Sequence, residues 1–251
     1  MKNLLLTEVW KLRRSKVLWI AIFSTLMVAA VVYAQGLSVH YGKCYIDNVG
    51  WYMESVLSLA TFFVLPGIIA LLGSYTICRE EQEDTLKSLR MIPVDESKLT
   101  ETKLTLTFLM SLFIYLLLFA ITFFVEAMLH FNDLQLNSIL IMMKVYLLNG
   151  FGIFIVISPI IVFVSKIKKG YWLALVFAEI YSFAGLFANL LTIGKTIYPI
   201  TAAMQLAGYY EASLSEKLCS ILVIVICGII SIIILKKTSY QVSTSRKHKS
   251  I

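Results

Sequence analysis

Six long apolar stretches, separated by shorter polar segments, dominate the pattern of hydrophobic and polar residues along the chain. Each stretch has about the ~20 residues that a helix needs to cross the hydrocarbon core of a bilayer. Their bounds are Val17–Ala34, Ser55–Ile77, Leu104–Val125, Val145–Ser165, Tyr171–Leu191 and Leu218–Leu235. The pattern predicts an all-α membrane protein with six transmembrane helices.

Basic residues fall mainly on alternate sides of these predicted spans. The seven segments that flank and separate the spans contain 5, 1, 5, 1, 3, 2 and 5 of the 22 lysines and arginines. A cytoplasmic N-terminus therefore puts 18 of them inside and four outside. That is the distribution that the positive-inside rule requires. We predict that both termini lie in the cytoplasm.

The composition agrees with a membrane protein. Apolar residues make up 59% of the chain, charged residues only 15%, and the mean hydropathy is +0.83, which excludes a water-soluble domain. The net charge of +7 lies in short loops beside the spans, where anionic lipid headgroups explain it better than nucleic acid. These loops are too short for a core of their own. We predict one transmembrane domain over residues 1–251, with the first span retained rather than cleaved.

The four cysteines and three histidines form no framework for a metal ion or a set of disulfides. His40, His130 and His248 lie in different segments, and no pair has the spacing of metal ligands. Cys44 and Cys219 both fall near the outer side, where a disulfide between them is geometrically conceivable. Buried, inert thiols are the commoner case. We predict no metal and no cofactor in this chain.

Two signatures of enzymes are incomplete here. The pair Glu80–Glu81 is similar to the start of the Glu-Glu-x-x-x-Arg motif of CAAX-type intramembrane proteases, but Thr85 stands where the arginine is required. No histidine lies at membrane depth to complete such a site, and acid–base catalysis needs groups within hydrogen-bond reach. A Gly-x-x-x-x-Gly-Lys phosphate-binding run is also missing. The chain is therefore predicted to be neither a protease nor an ATPase.

The first segment, Met1–Lys16, has two faces when wound as an α-helix. Leu5, Leu6, Val9, Trp10 and Leu12 share the apolar face, and Thr7, Glu8, Lys11 and Arg14 share the polar face. One interpretation is an amphipathic helix in the cytoplasmic interface, with Trp10 at the depth of the headgroups. The other is a charged flank that only orients the first span. Both interpretations put the segment on the cytoplasmic face.

The segment Cys78–Lys103, between the second and third predicted spans, has the sequence CREEQEDTLKSLRMIPVDESKLTETK. Acidic residues crowd the first turn of a predicted helix and basic residues lie near its end, which complements the helix macrodipole. Pro93 ends this helix. Leu86, Leu89 and Ile92 then form an apolar edge without a domain of its own to cover it. The edge either docks on another protein or lies flat on the bilayer, and physics alone favours neither.

This loop resembles the signature loop of ABC type-2 transporter permeases. The resemblance lies in the run Glu81-x-x-Asp84-Thr85-Leu86-x-x-Leu89-x-x-Ile92-Pro93, with Lys103 opening the next span. In that family the pattern is roughly Glu-x-x-Gly-Thr-Leu, followed by apolar residues, a proline and a lysine. The amphipathic start, the six spans and the cytoplasmic ends are similar as well. Asp84 departs from the family's glycine and would extend the acidic face of the loop.

The resemblance implies a permease subunit of an ABC exporter that pairs with a separate ATPase subunit. Its coupling helix, which seats in a cleft of that ATPase, would contain Glu81, Asp84, Thr85, Leu86, Leu89 and Pro93. ATP and Mg²⁺ would bind to the ATPase, so that this chain carries no cofactor. A second copy of the permease, or a homologous permease, is implied as a further partner. No nucleic acid is expected.

The compact, loop-poor chain is most similar to the bacitracin-resistance and lantibiotic-immunity permeases of Gram-positive bacteria. That similarity predicts export of a peptide antibiotic from the bacterial plasma membrane. Two alternatives stay open. The first is an ABC exporter of another amphipathic or lipid-linked substrate. The second is a non-transporting membrane protein that sequesters or senses an antimicrobial peptide, although such a protein needs no cytoplasmic docking helix.

Glu179 is the one acid in the middle of a predicted span. An ionised carboxylate in hydrocarbon is costly, so the side chain should face the bundle, bind a partner or be protonated. Asn189 lies roughly 80° away round the same helix, and Ser182 is on the turn after Glu179. Either Glu179 and Asn189 line the substrate path or a subunit interface, or Glu179 hydrogen-bonds within the bundle as a neutral acid. Pro66 and Pro159 predict kinks.

The last external segment, Thr192–Lys217, is too interrupted to cross a bilayer and too apolar to lie free in water. A re-entrant or interfacial pair of short helices fits it, because irregular backbone at membrane depth needs protein or water around it. The ABC type-2 exporter family has such an element between its last two spans. The alternative is an ordinary amphipathic loop on the membrane surface.

Overall fold

The computed structural model describes the backbone of residues 2–13, 15–40, 43–82, 96–165, 167, 170–191 and 193–249. Within these ranges the chain forms ten α-helices, one 3-10 helix and one short hairpin. The α-helices are α1 (Lys2–Arg13), α2 (Lys16–Gly36), α3 (Trp51–Phe63), α4 (Leu65–Gln82), α5 (Glu96–Leu129), α6 (Leu136–Val164), α7 (Leu173–Ala188), α8 (Gly194–Ile197), α9 (Pro199–Ala207) and α10 (Leu214–Lys249). The hairpin pairs β1 (Val39–His40) with β2 (Lys43–Cys44) and leads into the 3-10 helix Tyr45–Asp47.

The described helices confirm a helical, multi-pass membrane protein. Four of them are long and apolar enough to span: Lys16–Gly36, Leu99–Leu129, Leu136–Val164 and Leu214–Lys236. Helices α3 and α4 together would make a fifth span with a bend of 49°. The remaining predicted span coincides with α7, whose 16 residues rise about 24 Å, less than the ~30 Å of hydrocarbon. The count of six spans therefore stays a prediction.

The second predicted span is broken rather than continuous. Helix α3 ends at Phe63, Val64 adopts φ −135° and ψ −53°, and α4 begins at Leu65. Pro66 lies in the first turn of α4, where a proline is tolerated, but it has no N–H to donate to the carbonyl of Phe62. The kink predicted at Pro66 is thus a complete break between two helices.

Pro159 does not have the same effect. Helix α6 runs through it without interruption. The Ser158 hydroxyl donates to the carbonyl of Ile155 at 2.8 Å, which is the carbonyl that the missing proline N–H would otherwise leave free. A hydroxyl of the same helix therefore repairs the ladder locally, and the predicted kink causes no break.

Several helix ends follow from local sequence. Ser15 separates α1 from α2, and its hydroxyl accepts the N–H of Val17 at 3.1 Å. Helix α10 begins with a capping box, in which Glu216 accepts the N–H of Ser213 at 2.7 Å and Ser213 accepts the N–H of Glu216 at 3.4 Å. Gly208, at φ +95°, ends α9 in the left-handed conformation that glycine adopts without strain.

Helix α1 turns one residue of its predicted polar face toward the bundle. Glu8, assigned to the polar face, is only 5% exposed, and Leu12 is 4% exposed, whereas Val9 and Trp10 point away from the bundle. The Lys11 ammonium donates to Glu8 Oε1 at 2.7 Å, and α1 packs against α5. Because Lys11 neutralises the acid, the helix can turn Glu8 inward beside Leu12 and leave Val9 and Trp10 on the outside. That exposed apolar side is what an interfacial helix presents to lipid.

The segment between α7 and α10 contains two short helices, α8 and α9, as one of the two interpretations predicted. Helix α9 is almost entirely buried against α6 and α10. Its polar Gln205 accepts a hydrogen bond from the Ser220 hydroxyl of α10 at 2.9 Å. Protein therefore surrounds this interrupted backbone, as irregular structure at membrane depth requires.

The core lies around α3, α4 and α6. Two fully buried tyrosines tie α3 to its neighbours, because a buried phenol needs a hydrogen-bond acceptor. Tyr52 donates to the carbonyl of Ala29 in α2 at 3.0 Å. Tyr146 of α6 donates to the carbonyl of Met53 in α3 at 2.7 Å. Helix α3 is thus fixed between α2 and α6, while α4 leads away from it at an angle.

Candidate transport machinery

The residues predicted to couple the chain to an ATPase lie largely outside the described part of the structure. Asp84, Thr85, Leu86, Leu89 and Pro93 belong to the undescribed stretch 83–95. The backbone of Glu81 lies in the last turn of α4. The structure therefore does not test their role, but it does describe the two helices that flank the stretch.

Basic side chains of those two helices contact backbone carbonyls of neighbouring helices. Lys103 of α5 is 2% exposed, and its ammonium lies 3.5 Å from the carbonyl of Ile77 in α4. Arg79 of α4 donates to the carbonyl of Lys11 in α1 at 3.0 Å, and its guanidinium lies 5.9 Å from the centre of the Tyr75 ring. Cationic groups suit the carbonyl end of a helix. A displacement of the stretch between α4 and α5 would therefore act on α1, α4 and α5 together.

Glu179 lies half-buried in α7 and faces the start of α4. Its carboxyl lies against the backbone of Gly67, within reach of the Gly67 N–H. Gly67 is the third residue of α4, so its N–H has no acceptor within the helix. A Cβ at position 67 would lie 2.8 Å from the Glu179 carboxyl carbon, so only glycine leaves room for this contact. The geometry favours the hypothesis that Glu179 hydrogen-bonds within the bundle.

Ser182, one turn after Glu179, faces the end of α3. Its hydroxyl lies 2.8 Å from the carbonyl of Phe62 and 3.0 Å from the carbonyl of Thr61. Phe62 is the residue whose carbonyl loses its helical donor at Pro66. The sequence indicated that Ser182 neighbours Glu179, but it gave no partner for either side chain.

Asn189 does not join Glu179. It lies at the C-terminal cap of α7, ten residues further on, which is about 15 Å along the helix axis. Its side chain lies beside Tyr210, and Lys195 lies 5.3 Å from the centre of the Tyr210 ring. Glu179 and Asn189 therefore belong to two separate clusters, and the structure does not bring them together as one site.

A buried polar cluster in the middle of the bundle was not predicted. The hydroxyl of Thr61 accepts a hydrogen bond from the Asn149 amide at 2.9 Å and lies 3.2 Å from the hydroxyl of Tyr115. All three side chains are 0% exposed. They join α3, α5 and α6. The carbonyl of Thr61 also contacts Ser182. In the sequence, the members of this cluster are visible only as single polar residues within apolar runs. Which of them hydrogen-bond to each other depends on how the helices pack.

Glu126 was also missed, because the third predicted span ended at Val125. Helix α5 continues to Leu129, and Glu126 is 0% exposed. Its Oε1 accepts the N–H of Gly50 at 2.7 Å and lies 3.1 Å from His130 Nδ1. Gly50, at φ +84°, is the N-terminal cap of α3. The Glu126 carboxyl of α5 therefore caps the N-terminus of α3, a purpose that a side chain near the start of the same helix usually serves.

An apolar groove of about 400 Å³ lies between α2, α3 and α5. Its walls include Leu26, Ala29 and Val125, together with the aromatic residues Tyr33 and Tyr52. Such a groove suits a hydrocarbon chain or an apolar side chain.

The described residues contain no cluster of three histidine, cysteine or carboxylate side chains that could hold a metal ion. Cys44 and Cys219 are both free thiols, so the disulfide between them does not form in this structure.

Comparison with known proteins identifies the family. Residues 4–185 match the family model described as ABC-2 family transporter protein. The matched range begins in α1, includes the loop with the Glu81–Pro93 run and ends in α7. A comparison with curated proteins found no match. Because the match covers more than two thirds of the 251 residues, the chain belongs to the ABC-2 transporter family, as a non-catalytic membrane permease.

Proposed function

We propose that this protein is the permease subunit of an ABC exporter that is driven by a separate ATPase subunit. The observation that carries the proposal is the family match over residues 4–185, which includes the loop between α4 and α5. The chain has no Gly-x-x-x-x-Gly-Lys run, so ATP and Mg²⁺ would bind to the partner. The permease would work with a second copy of itself or with a homologous permease.

The loop between α4 and α5 is the coupling helix in this proposal. Leu86 and Leu89 fill an apolar cleft of the ATPase, while Glu81 and Asp84 face basic groups at its rim. Thr85 lies between these two sets, and Pro93 ends the helix. The contacts of Lys103 with the Ile77 carbonyl and of Arg79 with the Lys11 carbonyl support a mechanical link to the bundle. A hydrolysis-driven movement of the coupling helix then tilts α4 and α5 and changes the side to which the spans open.

The proposed topology has six crossings, with α7 as the fifth and both termini in the cytoplasm. We expect an impermeant maleimide to label cysteine at positions 48 and 132 in intact cells. A cysteine at position 250 should be labelled only after permeabilisation. Asn48 and Asn132 are both exposed between helices, which makes them suitable positions for a label. The background for these variants replaces all four native cysteines. The opposite labelling pattern would contradict the topology.

The proposed substrate is a peptide antibiotic of the bacitracin or lantibiotic type, taken from the membrane. Support comes from the resemblance of the compact chain to the resistance permeases and from the apolar groove between α2, α3 and α5, which suits the apolar side chains of an amphipathic peptide. A peptide that enters from the lipid needs no large external domain for capture.

The test measures ATP hydrolysis by the permease–ATPase complex in nanodiscs with increasing bacitracin or lantibiotic. We expect either peptide to raise the hydrolysis rate, because a substrate that binds one conformation shifts the population toward it. An ATPase variant that lacks its phosphate-binding lysine is the control. A complex that hydrolyses ATP but responds to neither peptide would contradict this substrate and leave another amphipathic or lipid-linked molecule.

A further inference from the structure

One turn of α7 bridges the break between α3 and α4. The Ser182 hydroxyl contacts the carbonyls of Phe62 and Thr61 on the α3 side at 2.8 and 3.0 Å. The Glu179 carboxyl lies against the backbone of Gly67 on the α4 side, within reach of its N–H. Residues three apart on a helix lie on the same face, about 4.5 Å from each other along the axis. The Glu179–Ser182 pair therefore holds both ends of the break from one face of one helix.

Backbone hydrogen bonding explains why the pair is needed. Pro66 leaves the carbonyl of Phe62 without its helical donor, and the start of α4 leaves the N–H of Gly67 without an acceptor. Neither group has water available in a bilayer, so each needs a partner from the protein. At Pro159 the partner is Ser158 of the same helix, and α6 stays intact. At Pro66 the partners belong to α7, so the repair joins two helices.

The two sides of the break have different further contacts. On the α3 side, the hydroxyl of Thr61 contacts Tyr115 of α5 and Asn149 of α6. On the α4 side, the Ser74 hydroxyl lies 2.9 Å from the carbonyl of Tyr171, just before α7, and the Tyr75 ring packs edge-on against the Tyr171 ring at 5.6 Å. Helix α4 is thus joined to α7 at both the break and the other end of α7.

We propose that Glu179 and Ser182 are positioning residues for transport, which set the angle between α3 and α4 by holding both helices to one face of α7, so that α3 follows a displacement of α4. The proposal rests on the proposed function, because this angle serves transport only if an ATPase moves the loop that follows α4. With the pair intact, a displacement of α4 carries α3 with it and rearranges the spans. Without the pair, the break bends, and α3 with the helices joined to it does not follow α4.

The test measures the distance between spin labels on α3 and α4 by pulsed electron paramagnetic resonance. Cysteines at position 54, which is exposed on α3, and at position 82, at the end of α4, carry the labels in a background without native cysteines. The complex with its co-purified ATPase is compared before and after trapping with ATP and vanadate. We expect an unchanged distance in the wild type, and a change of several ångströms in Glu179→Leu and Ser182→Ala. The variants Glu179→Gln and Ser182→Thr keep an acceptor and a hydroxyl and should behave as the wild type.

Ser158→Ala is the matched control, because it also removes a hydroxyl that serves a proline-freed carbonyl, but within a single helix. We expect it to leave the distance unchanged. If Glu179→Leu does not accumulate in the membrane, Gly67→Ala crowds the same carboxyl and replaces it in the test. An unchanged distance in all the pair variants, a changed distance in the wild type, or an equal effect of Ser158→Ala would overturn the proposal. A wild-type chain that retains no ATPase would instead contradict the proposed function.

Discussion

Replacing both Leu86 and Leu89 with aspartate is expected to abolish transport while leaving the permease in the membrane. The two leucines form the apolar edge of the predicted coupling helix, and a charge buried in an apolar cleft without a partner is strongly unfavourable. Truncation of an anchor residue at the centre of an interface costs about 2 kcal/mol or more. Two such losses correspond to roughly a thousandfold weaker binding of the ATPase. The measurement is resistance of cells to the exported peptide at normal expression.

The control adds the same two charges to the other side of the predicted helix. Positions 88 and 91 share one face of the predicted helix because they are three residues apart. Ser88→Asp with Met91→Asp therefore places both charges together on a face that points away from Leu86 and Leu89. We expect this double variant to keep most of its activity and to reach the membrane in the same amount. Full activity of the Leu86→Asp, Leu89→Asp variant would contradict the coupling-helix assignment, since a docking edge cannot tolerate it.

Replacing Glu126 with alanine is expected to destabilise the folded protein by roughly 2–4 kcal/mol. Glu126 is 0% exposed, and its Oε1 contacts two groups from different parts of the chain. Without it, the N–H of Gly50 at the start of α3 and the Nδ1 of His130 both lose their partner. A loss of this size lowers the thermal unfolding midpoint in detergent by several degrees. It also lowers the amount of protein in the membrane.

The conservative variant Glu126→Gln keeps a carbonyl oxygen that can accept the Gly50 N–H, and it should retain most of the stability. Glu101→Ala is the matched control on the same helix, because Glu101 is exposed. If Glu126→Ala and Glu101→Ala unfold at the same temperature, the carboxyl does not hold the start of α3 in the way described.

The positions of the membrane helices were predictable because the bilayer imposes a length. The apolar run Val17–Ala34 corresponds closely to Lys16–Gly36 in the structure. The end of a span was less predictable where a polar residue finds a distant partner. Glu126 appeared to end the third span, yet α5 continues to Leu129 because Gly50 and His130 satisfy the carboxyl. Such partners, far away in sequence, leave no signal in local hydrophobicity.

The break in the second span was predictable only in part. Pro66 predicted a kink, since proline removes one backbone hydrogen bond. Whether the helix repairs itself or breaks depends on which hydroxyl is near the freed carbonyl. Ser158 precedes Pro159 and repairs α6, whereas the partner of Phe62 is Ser182, far along the chain. Glu179 was recognisable as a candidate because a carboxyl inside a span is rare, but its partner Gly67 emerged only from the packing of α4 against α7.

The central claim, that this permease is driven by a separate ATPase, is tested most directly by purification of the tagged chain from native membranes in mild detergent. Mass spectrometry identifies the proteins that co-purify, and an assay of ATP hydrolysis is run on the same sample. We predict an ATPase with a phosphate-binding loop in stoichiometric amount, and its loss from the Leu86→Asp, Leu89→Asp variant. A sample that contains the intact permease but no ATPase would contradict the claim and favour a protein that sequesters or senses its peptide.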